Sequence, residues 1–358
     1  MIRRIIVFLL VIASFVTIQA QDDDQPNSPF FDGENAFIHV ENHVAVGPRP
    51  MATVGNIEAG NIILSHLDTL GWETSEDWHL IGFGDSTDLT PEAQQTFDLW
   101  QPLTMGGLLT DYLEAENQPV EFNRLLVPVR NLVASYGEGS TIIIGAHYDS
   151  RIFSDKDVDP TKRLLPMPGA NDGGSGVGVL LELARVISEN YIPNHEIRLV
   201  FFDAEDNGRI APFADLIPQT SGYLIGSTLY ANRLDLETEN IDYMLLVDLV
   251  GEFDQAFPIE GYSNQSAPDI AAAIWETART LGYEAQFPNE VGGSITDDHV
   301  PFIQRGIPAV DIIDLDYAYW DTSEDTIDKI SVDSLARVGE VLEMYLLNSG
   351  AITLKTAP

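Results

Sequence analysis

Apolar runs and helical spacings alternate along this chain. Runs of β-branched and other apolar residues predict strands that are buried on both faces, at 141–146, 196–202, 244–251 and 308–313. Apolar positions at helical spacing predict helices over 56–70, 175–191, 222–232, 267–281 and 332–347. This alternation indicates an α/β fold, an αβα sandwich with a mostly parallel central sheet and helices on both faces.

Three other stretches give weaker patterns. Residues 72–113 are predicted to be irregular because glycines and prolines interrupt them. Residues 120–129 and 131–136 are predicted to form two neighbouring strands, separated near Pro128. Residues 207–221 contain glycine and prolines and are expected to form a loop over a site.

The N-terminus predicts export. Two arginines precede an apolar run over 5–18, and Ala20 offers a small residue for cleavage. A spanning helix needs about 20 apolar residues, so residues 1–20 are interpreted as a signal peptide, with an uncleaved anchor as the alternative. Residues 21–45 are predicted to be an acidic linker and residues 46–358 the folded, functional domain. The expected location is the bacterial envelope or the extracellular space.

The composition of the chain excludes several classes of partner and site. The formal net charge is −38, and a nucleic acid or a strongly anionic membrane surface would need a basic face, so neither is expected as a partner. The chain contains no cysteine, which excludes disulfides, thiolate metal sites and cysteine nucleophiles. The sequence does not indicate an oligomeric state.

Acidic residues and a histidine stand where the predicted buried strands end. His147, Glu205, Asp206 and Asp248 occupy such ends, and Asp172 precedes a helix. In open α/β sheets the ligand crevice lies beyond the carboxyl ends of the strands, so these side chains are expected to converge. Gathered carboxylates repel one another unless a cation or shared protons hold them together.

This donor set suits a catalytic zinc ion. Such sites use three protein ligands, drawn here from His, Asp and Glu, and leave one position open. The adjacent pair Glu205 and Asp206 can place one carboxylate on the metal and the other toward a substrate as a general base.

Six ordered motifs make a family resemblance specific. GAHYDS, GANDGGSG, FFDAED, LLVDLVG, TDDHVPF and YWDTSEDTIDKI together resemble the co-catalytic zinc aminopeptidases and their relatives, the animal-type glutaminyl-peptide cyclotransferases. The sequence around 245–263, the segment 296–302 and Trp320 resemble the cyclotransferase branch more closely. This resemblance implies an αβα metalloenzyme that converts N-terminal glutamine of peptides or proteins to pyroglutamate and releases ammonia.

The resemblance also implies roles for individual residues. If the chain follows the cyclotransferase branch, one zinc ion is held by Asp172, Asp206 and Asp321. Glu205 is the proton shuttle, with Asp248 and Asp297 as its acidic partners. Trp320 is expected to form a wall of the substrate pocket. His147 and Asp149 are expected to support the metal ligands.

Position 321 departs from the family pattern, since both branches usually have histidine there. Three aspartates make the site more anionic and favour a harder cation. His299 is the alternative ligand, although a structural hydrogen-bonding role is expected for it. The aminopeptidase alternative binds two ions, one through His147, Asp172 and Asp248 and the other through Asp172, Asp206 and Asp321. A non-catalytic relative without metal is the third alternative.

Overall fold

The computed structural model describes residues 29–85, 89–102, 124–208 and 222–356. The strands are β1 (Glu73–Asp85), β2 (Arg124–Tyr136), β3 (Thr141–His147), β4 (Tyr191–Pro193), β5 (Glu196–Phe202), β6 (Ile241–Asp248), β7 (Ala309–Ile313) and β8 (Ile352–Leu354). The α-helices are α1 (Gly33–Ala45), α2 (Val54–Thr69), α3 (Pro91–Trp100), α4 (Gly174–Asn190), α5 (Ile225–Arg233), α6 (Gly261–Ser266), α7 (Pro268–Thr280), α8 (Val300–Gln304) and α9 (Val332–Asn348), with a short 3₁₀ helix at Ile327–Lys329.

The central sheet is mixed, with a parallel core. Its strand order is β1-β2-β5-β3-β6-β7. Strands β5, β3, β6 and β7 run parallel, whereas β1 and β2 add antiparallel pairs at one edge. Every residue of β3 is buried, as expected for a central strand covered on both faces.

Alternate residues of the central strands serve two separate hydrophobic cores. Ile142 and Ile144 join a large cluster with residues of α1, α2, α4, α7 and α9. Ile143, between them, joins a smaller cluster with residues of α5 and α8 on the other face. Because successive side chains of a strand point to opposite faces, this division produces three layers. The predicted αβα sandwich is therefore confirmed.

The predicted linker over residues 21–45 is wrong from residue 33 onward. Those residues form α1, which packs against α4 and α9. Glu343 accepts hydrogen bonds from the backbone N–H groups of Phe30 and Phe31, and Phe31 is buried. The acidic composition concealed an amphipathic helix whose apolar face carries Ala36 and Val40 into the core.

Two predictions about the antiparallel edge are also wrong. Residues 72–113 are not irregular where they are described, since they contain β1 and α3. Residues 124–136 form one continuous strand instead of two, and Pro128 lies within it, opposite Leu80 of β1. Strand β5 pairs only with residues 132–136 of β2, so β2 has an unpaired side at Pro128 among the described residues, and an unpaired side tolerates proline.

The predicted signal peptide or anchor at 1–20 lies outside the described residues, as does most of the predicted loop at 207–221. Among the described residues, no helix combines the length and apolar character that crossing a bilayer requires.

We expect Gly339→Ala to lower the free energy of unfolding by about 1–3 kcal/mol through overpacking. A Cβ at this position of α9 would lie 2.1 Å from the ring of Phe31. Urea denaturation measures the change. In a Phe31→Ala background the same substitution should instead stabilise the protein by about 1 kcal/mol, because alanine has the higher helix propensity. Stabilisation in both backgrounds would contradict the packing of Phe31 against α9.

Candidate metal centre

Neighbouring parallel strands bring the predicted site residues to one edge of the sheet. His147 is the last residue of β3 and Asp248 the last residue of β6. Glu205 and Asp206 follow the end of β5, which pairs with β3 on its other side. The carboxyl ends of these three strands therefore converge, as the sequence predicted.

Asp172 reaches the same place because α4 begins close to the sheet. Gly173 has φ +84°, a left-handed conformation, and a Cβ there would lie 2.5 Å from the carbonyl oxygen of Asp149. A Cβ on Gly176 would lie 2.5 Å from the carbonyl oxygen of Val247. The glycines of the GANDGGSG motif therefore permit a close approach that larger residues would block.

Three non-glycine residues at or next to the candidate acids have left-handed backbones. Ala204, which precedes Glu205, has φ 56°; Leu249, which follows Asp248, has φ 51°; and Asp321 has φ 58°. Such conformations cost about 1 kcal/mol or more each and tend to cluster at functional sites. They turn the chain sharply where each strand or loop presents its acidic side chain.

Two groups of metal-ligand donors are present in the described part of the chain. One comprises His147, Asp172 and Asp248, and the other comprises Asp172, Asp206 and Asp321. Within each group, one donor atom from every residue lies within 4.8 Å of the others, and all members are buried. Asp172 belongs to both groups, so the geometry accommodates one ion or two.

The all-aspartate group has free oxygens that suit a divalent cation. Asp172 Oδ2 and Asp206 Oδ2 are buried without a hydrogen-bond donor within the described residues. Their other oxygens lie next to basic side chains, Asp172 Oδ1 at 3.1 Å from His147 Nε2 and Asp206 Oδ1 in an ion pair with Arg151. Buried carboxylate oxygens are normally satisfied, so these two fit a metal ion.

Basic side chains lie near both oxygens of Asp321. Its Oδ2 lies 2.5 Å from Lys156 Nζ, and its Oδ1 lies 3.4 Å from Arg151 Nη1. Neither oxygen accepts a well-aligned hydrogen bond within the described residues. Asp172 and Asp206 thus each have one oxygen beside a basic side chain and one without such a neighbour among the described residues, whereas Asp321 has Lys156 close to Oδ2 and Arg151 farther from Oδ1.

Asp149 contacts the backbone and a side chain of the residues that form the candidate metal centre. It is fully buried, and its carboxylate accepts hydrogen bonds from the backbone N–H groups of Glu205 and Asp206, at 3.1 and 3.3 Å. Asp149 Oδ1 also lies 3.4 Å from His147 Nδ1. It therefore fixes the turn after β5 and the ring of His147 together.

The centre opens into a pocket of about 810 Å³. Glu205, Asp248 and Asp297 line it, and Trp320 forms part of its wall. Its apolar lining comes from Leu224, Leu249, Ile295, Val300, Ile313 and Leu315. The pocket has the size of typical small-ligand sites, about 300–1,000 Å³, which is enough for more than one amino-acid residue.

Burial and neighbouring charges favour the protonated forms of the pocket acids. Burial, reinforced by Asp206, raises the pKa of Glu205 well above its ordinary value. Burial and the charge of Asp248 raise the pKa of Asp297 to about 6. These shifts bring proton exchange at Glu205 and Asp297 closer to neutral pH than for ordinary carboxyl groups.

His299 lies away from the candidate ligands. It is fully buried, with Nε2 3.2 Å from Glu260 and Nδ1 3.5 Å from Asp311. It belongs to neither donor group and does not line the pocket. This position agrees with the structural role expected for His299 and gives no support to its role as a replacement ligand.

Several residues around the centre were not predicted. Asp325 accepts hydrogen bonds from the backbone N–H groups of Asn171 and Asp172 and from the Tyr317 hydroxyl. The buried guanidinium group of Arg49 donates hydrogen bonds to the carbonyl oxygens of Tyr148, Pro168 and Gly169. The spacing of the site motifs gave no signal for these contacts, nor for those of Arg151 and Lys156.

The family model of peptidase family M28 matches residues 131–346. The chain belongs to peptidase family M28. The matched segment contains all of the predicted site residues, so the predicted resemblance is confirmed at the level of the family.

Its relatives carry more than one activity. The chain is 30% identical over 221 residues to the aminopeptidase YwaD of Bacillus subtilis, which covers 56% of this chain and 39% of that protein. It is 26% identical over 242 residues to the glutaminyl-peptide cyclotransferase of Gloydius blomhoffii, which covers 58% of this chain and 62% of that one. The chain thus aligns with less than two thirds of the length of either relative.

A solved structure matches over a larger share of the fold. The crystal structure of Porphyromonas gingivalis glutaminyl cyclase superposes with a TM-score of 0.73 at 29% sequence identity. The superposition covers 90% of this chain and 100% of that one. The chain is therefore similar in sequence to an aminopeptidase and a glutaminyl-peptide cyclotransferase, and in fold to a glutaminyl cyclase.

We expect Asp325→Ala to weaken zinc binding by about 10- to 100-fold, the usual cost of removing a group that orients a metal ligand. The substitution leaves the backbone N–H groups of Asn171 and Asp172 without their acceptor, so Asp172 loses its fixed position. Competition with a chromophoric chelator measures the affinity. Asp328→Ala, an exposed change on the nearby 3₁₀ helix, is the control, and an equal effect of both variants would refute the role of Asp325.

Proposed function

We propose that this chain is an exported, zinc-dependent glutaminyl-peptide cyclotransferase acting on the N-terminal glutamine of peptides or proteins. The observation that carries the proposal is the position of Glu205. It faces the pocket directly beside the candidate ligand Asp206, and Asp248 and Asp297 line the same pocket. The similarity to glutaminyl cyclases over most of the chain supports the same assignment.

The proposed metal ligands are Asp172, Asp206 and Asp321, whose available oxygens suit one ion. When bound, zinc supplies Lewis acidity that polarises the side-chain amide carbonyl of the substrate. The three aspartates are anionic in this role, and Arg151 and Lys156 offset part of their charge.

Cyclisation requires a proton to move, and Glu205 is the group placed to move it. The substrate α-amine attacks the carbon of its own side-chain amide, which forms the new C–N bond of the ring. The bond to the amide nitrogen breaks, and that nitrogen leaves as ammonia. Glu205 takes a proton from the attacking amine and delivers it to the leaving nitrogen, so no water is consumed.

Asp248 and Asp297 support this transfer. They line the same pocket, and the charge of Asp248 contributes to the raised pKa of Asp297. Asp297, whose pKa is raised, can exchange a proton with Glu205 as Glu205 accepts one proton and releases another. Trp320 supplies a flat wall on which the glutaminyl side chain can pack.

Aminopeptidase activity is the second candidate. The observation that favours it is the second donor group, His147, Asp172 and Asp248, which shares Asp172 with the first. Two adjacent ions form the usual centre for activating a bridging water, and Glu205 would then act as the general base of hydrolysis.

One assay distinguishes these functions. Purified protein is given a glutaminyl peptide and, separately, a leucyl anilide, while bound metal is quantified. We expect ammonia from the first substrate, no leucine from the second and one zinc ion per chain. Free leucine with two ions per chain would establish the aminopeptidase instead, and neither product with no bound metal would identify a non-catalytic relative.

Glu205→Gln should lower kcat for the glutaminyl peptide by about 10²- to 10⁴-fold, because glutamine cannot carry the proton. Zinc content should stay unchanged, since Glu205 belongs to neither donor group. Glu41→Gln, an exposed change on α1, is the matched control and should leave kcat as it was. An unaltered kcat in Glu205→Gln would exclude Glu205 as the proton shuttle.

A further inference from the structure

Lys156 makes three contacts around the third candidate ligand. Its Nζ lies 2.5 Å from Asp321 Oδ2 and 2.9 Å from the centroid of the Trp320 ring. Its backbone N–H donates to the carbonyl oxygen of Asp321 at 3.3 Å. The side chain is 42% exposed and lines the pocket, whereas Asp321 is fully buried. Lys156 therefore approaches Asp321 from the solvent side.

The surrounding loops hold this contact in place. Asp157 accepts hydrogen bonds from the hydroxyl and the backbone N–H of Ser323, at 2.5 and 3.2 Å. Lys162 forms an ion pair with Glu324. The contacts of Asp157 and of the Lys156 backbone thus join the loop that carries Lys156 to the loop that carries Asp321, whereas the solvent-accessible ion pair of Lys162 adds little.

Aspartate at position 321 raises a problem that histidine does not. A carboxylate can bind one ion through both oxygens, whereas an imidazole ring offers a single nitrogen to any one ion. Additional oxygen contacts raise the coordination number, which suits calcium rather than four-coordinate zinc. Aspartate also adds one negative charge to a site that already contains two aspartates.

The contact of Lys156 with Asp321 limits binding through both oxygens and offsets the added negative charge. The Lys156 ammonium group engages Asp321 Oδ2, so that Oδ1, which lies 3.4 Å from Arg151 Nη1, is the oxygen left for the ion. It also brings one positive charge to the aspartate that carries the additional negative one. Arg151 makes the equivalent contact with Asp206, so the arrangement at Asp321 repeats one already present in the site.

We propose that Lys156 is a positioning residue that keeps Asp321 a one-oxygen metal ligand and thereby makes aspartate a workable substitute for histidine at this position. This inference rests on the metal centre of the proposed function but holds for either candidate reaction.

Cobalt substitution tests the proposal, because Co²⁺ reports coordination through its visible absorption whereas Zn²⁺ is silent. Four-coordinate Co²⁺ absorbs several-fold more strongly than Co²⁺ with five or six ligands. Lys156→Met removes the charge, keeps a side chain of similar length and leaves the backbone contact to Asp321 intact. We expect this variant to bind Co²⁺ with a several-fold loss of visible absorption, and to discriminate less strongly against Ca²⁺ in competition.

A second background separates positioning from a general effect of charge. In Asp321→His the ligand can no longer bind through two atoms, and histidine is among the residues that tolerate a left-handed backbone. Adding Lys156→Met to this background should cause no further loss of absorption. The loss should therefore appear only where position 321 is aspartate.

Lys162→Met is the matched control, since it removes a lysine from the same loop that pairs with Glu324 instead of Asp321. Its Co²⁺ spectrum should equal that of the wild type. Identical spectra for wild type and Lys156→Met, or an equal loss in the Asp321→His background or in Lys162→Met, would overturn the positioning role alone. A wild-type protein that binds no Co²⁺ would overturn the metal centre itself and this proposal with it.

Discussion

The structure depends on keeping several carboxylates buried at the carboxyl edge of a parallel sheet. Ionised carboxylates are expensive to remove from water unless donors or cations compensate them. Two solutions are visible. Asp149 and Asp325 accept backbone N–H groups, which stabilise them and fix the turns that carry the ligands. Basic side chains lie beside oxygens of all three candidate ligands, and buried oxygens without a hydrogen-bond donor in the described residues remain for a metal ion. The backbone of the site and its chemistry are therefore products of the same electrostatic requirement.

The central part of this architecture could be predicted because it follows from local patterns. Buried strands have continuous apolar runs, and parallel strands end at a common edge, so His147, Glu205 and Asp248 were expected to meet. Asp325 could not be recognised in the same way. It lies in an acidic tract whose residues have the composition of a solvated loop, and its role depends on contacts with Asn171 and Asp172 that no sequence spacing encodes. The contact of Lys156 with Asp321 was not predicted for the same reason.

The wrong predictions concern the margins of the fold, where tertiary contacts override local composition. Helix α1 is acidic on its exposed side, but Ala36 and Val40 pack into the main core. Strand β1 carries a buried aspartate, Asp77, which His79 and Arg233 compensate from other positions. A polar residue inside a strand normally indicates exposure, so this stretch had no clear strand pattern. Arg233, which is distant in sequence, supplies part of the compensation, so the local pattern alone could not show that Asp77 is buried.

The stacking of Lys156 on Trp320 couples two parts of the site that are usually considered separately. Trp320 belongs to the pocket wall, and Lys156 belongs to the surroundings of a candidate metal ligand. A substrate that packs on the same face of the indole ring has to share it with the ammonium group. Thermodynamic linkage then requires that occupancy of the pocket alters affinity for the ion, and that the ion alters affinity for the substrate by the same factor. Through this one aromatic ring, recognition of the peptide and the strength of the metal site become reciprocal properties.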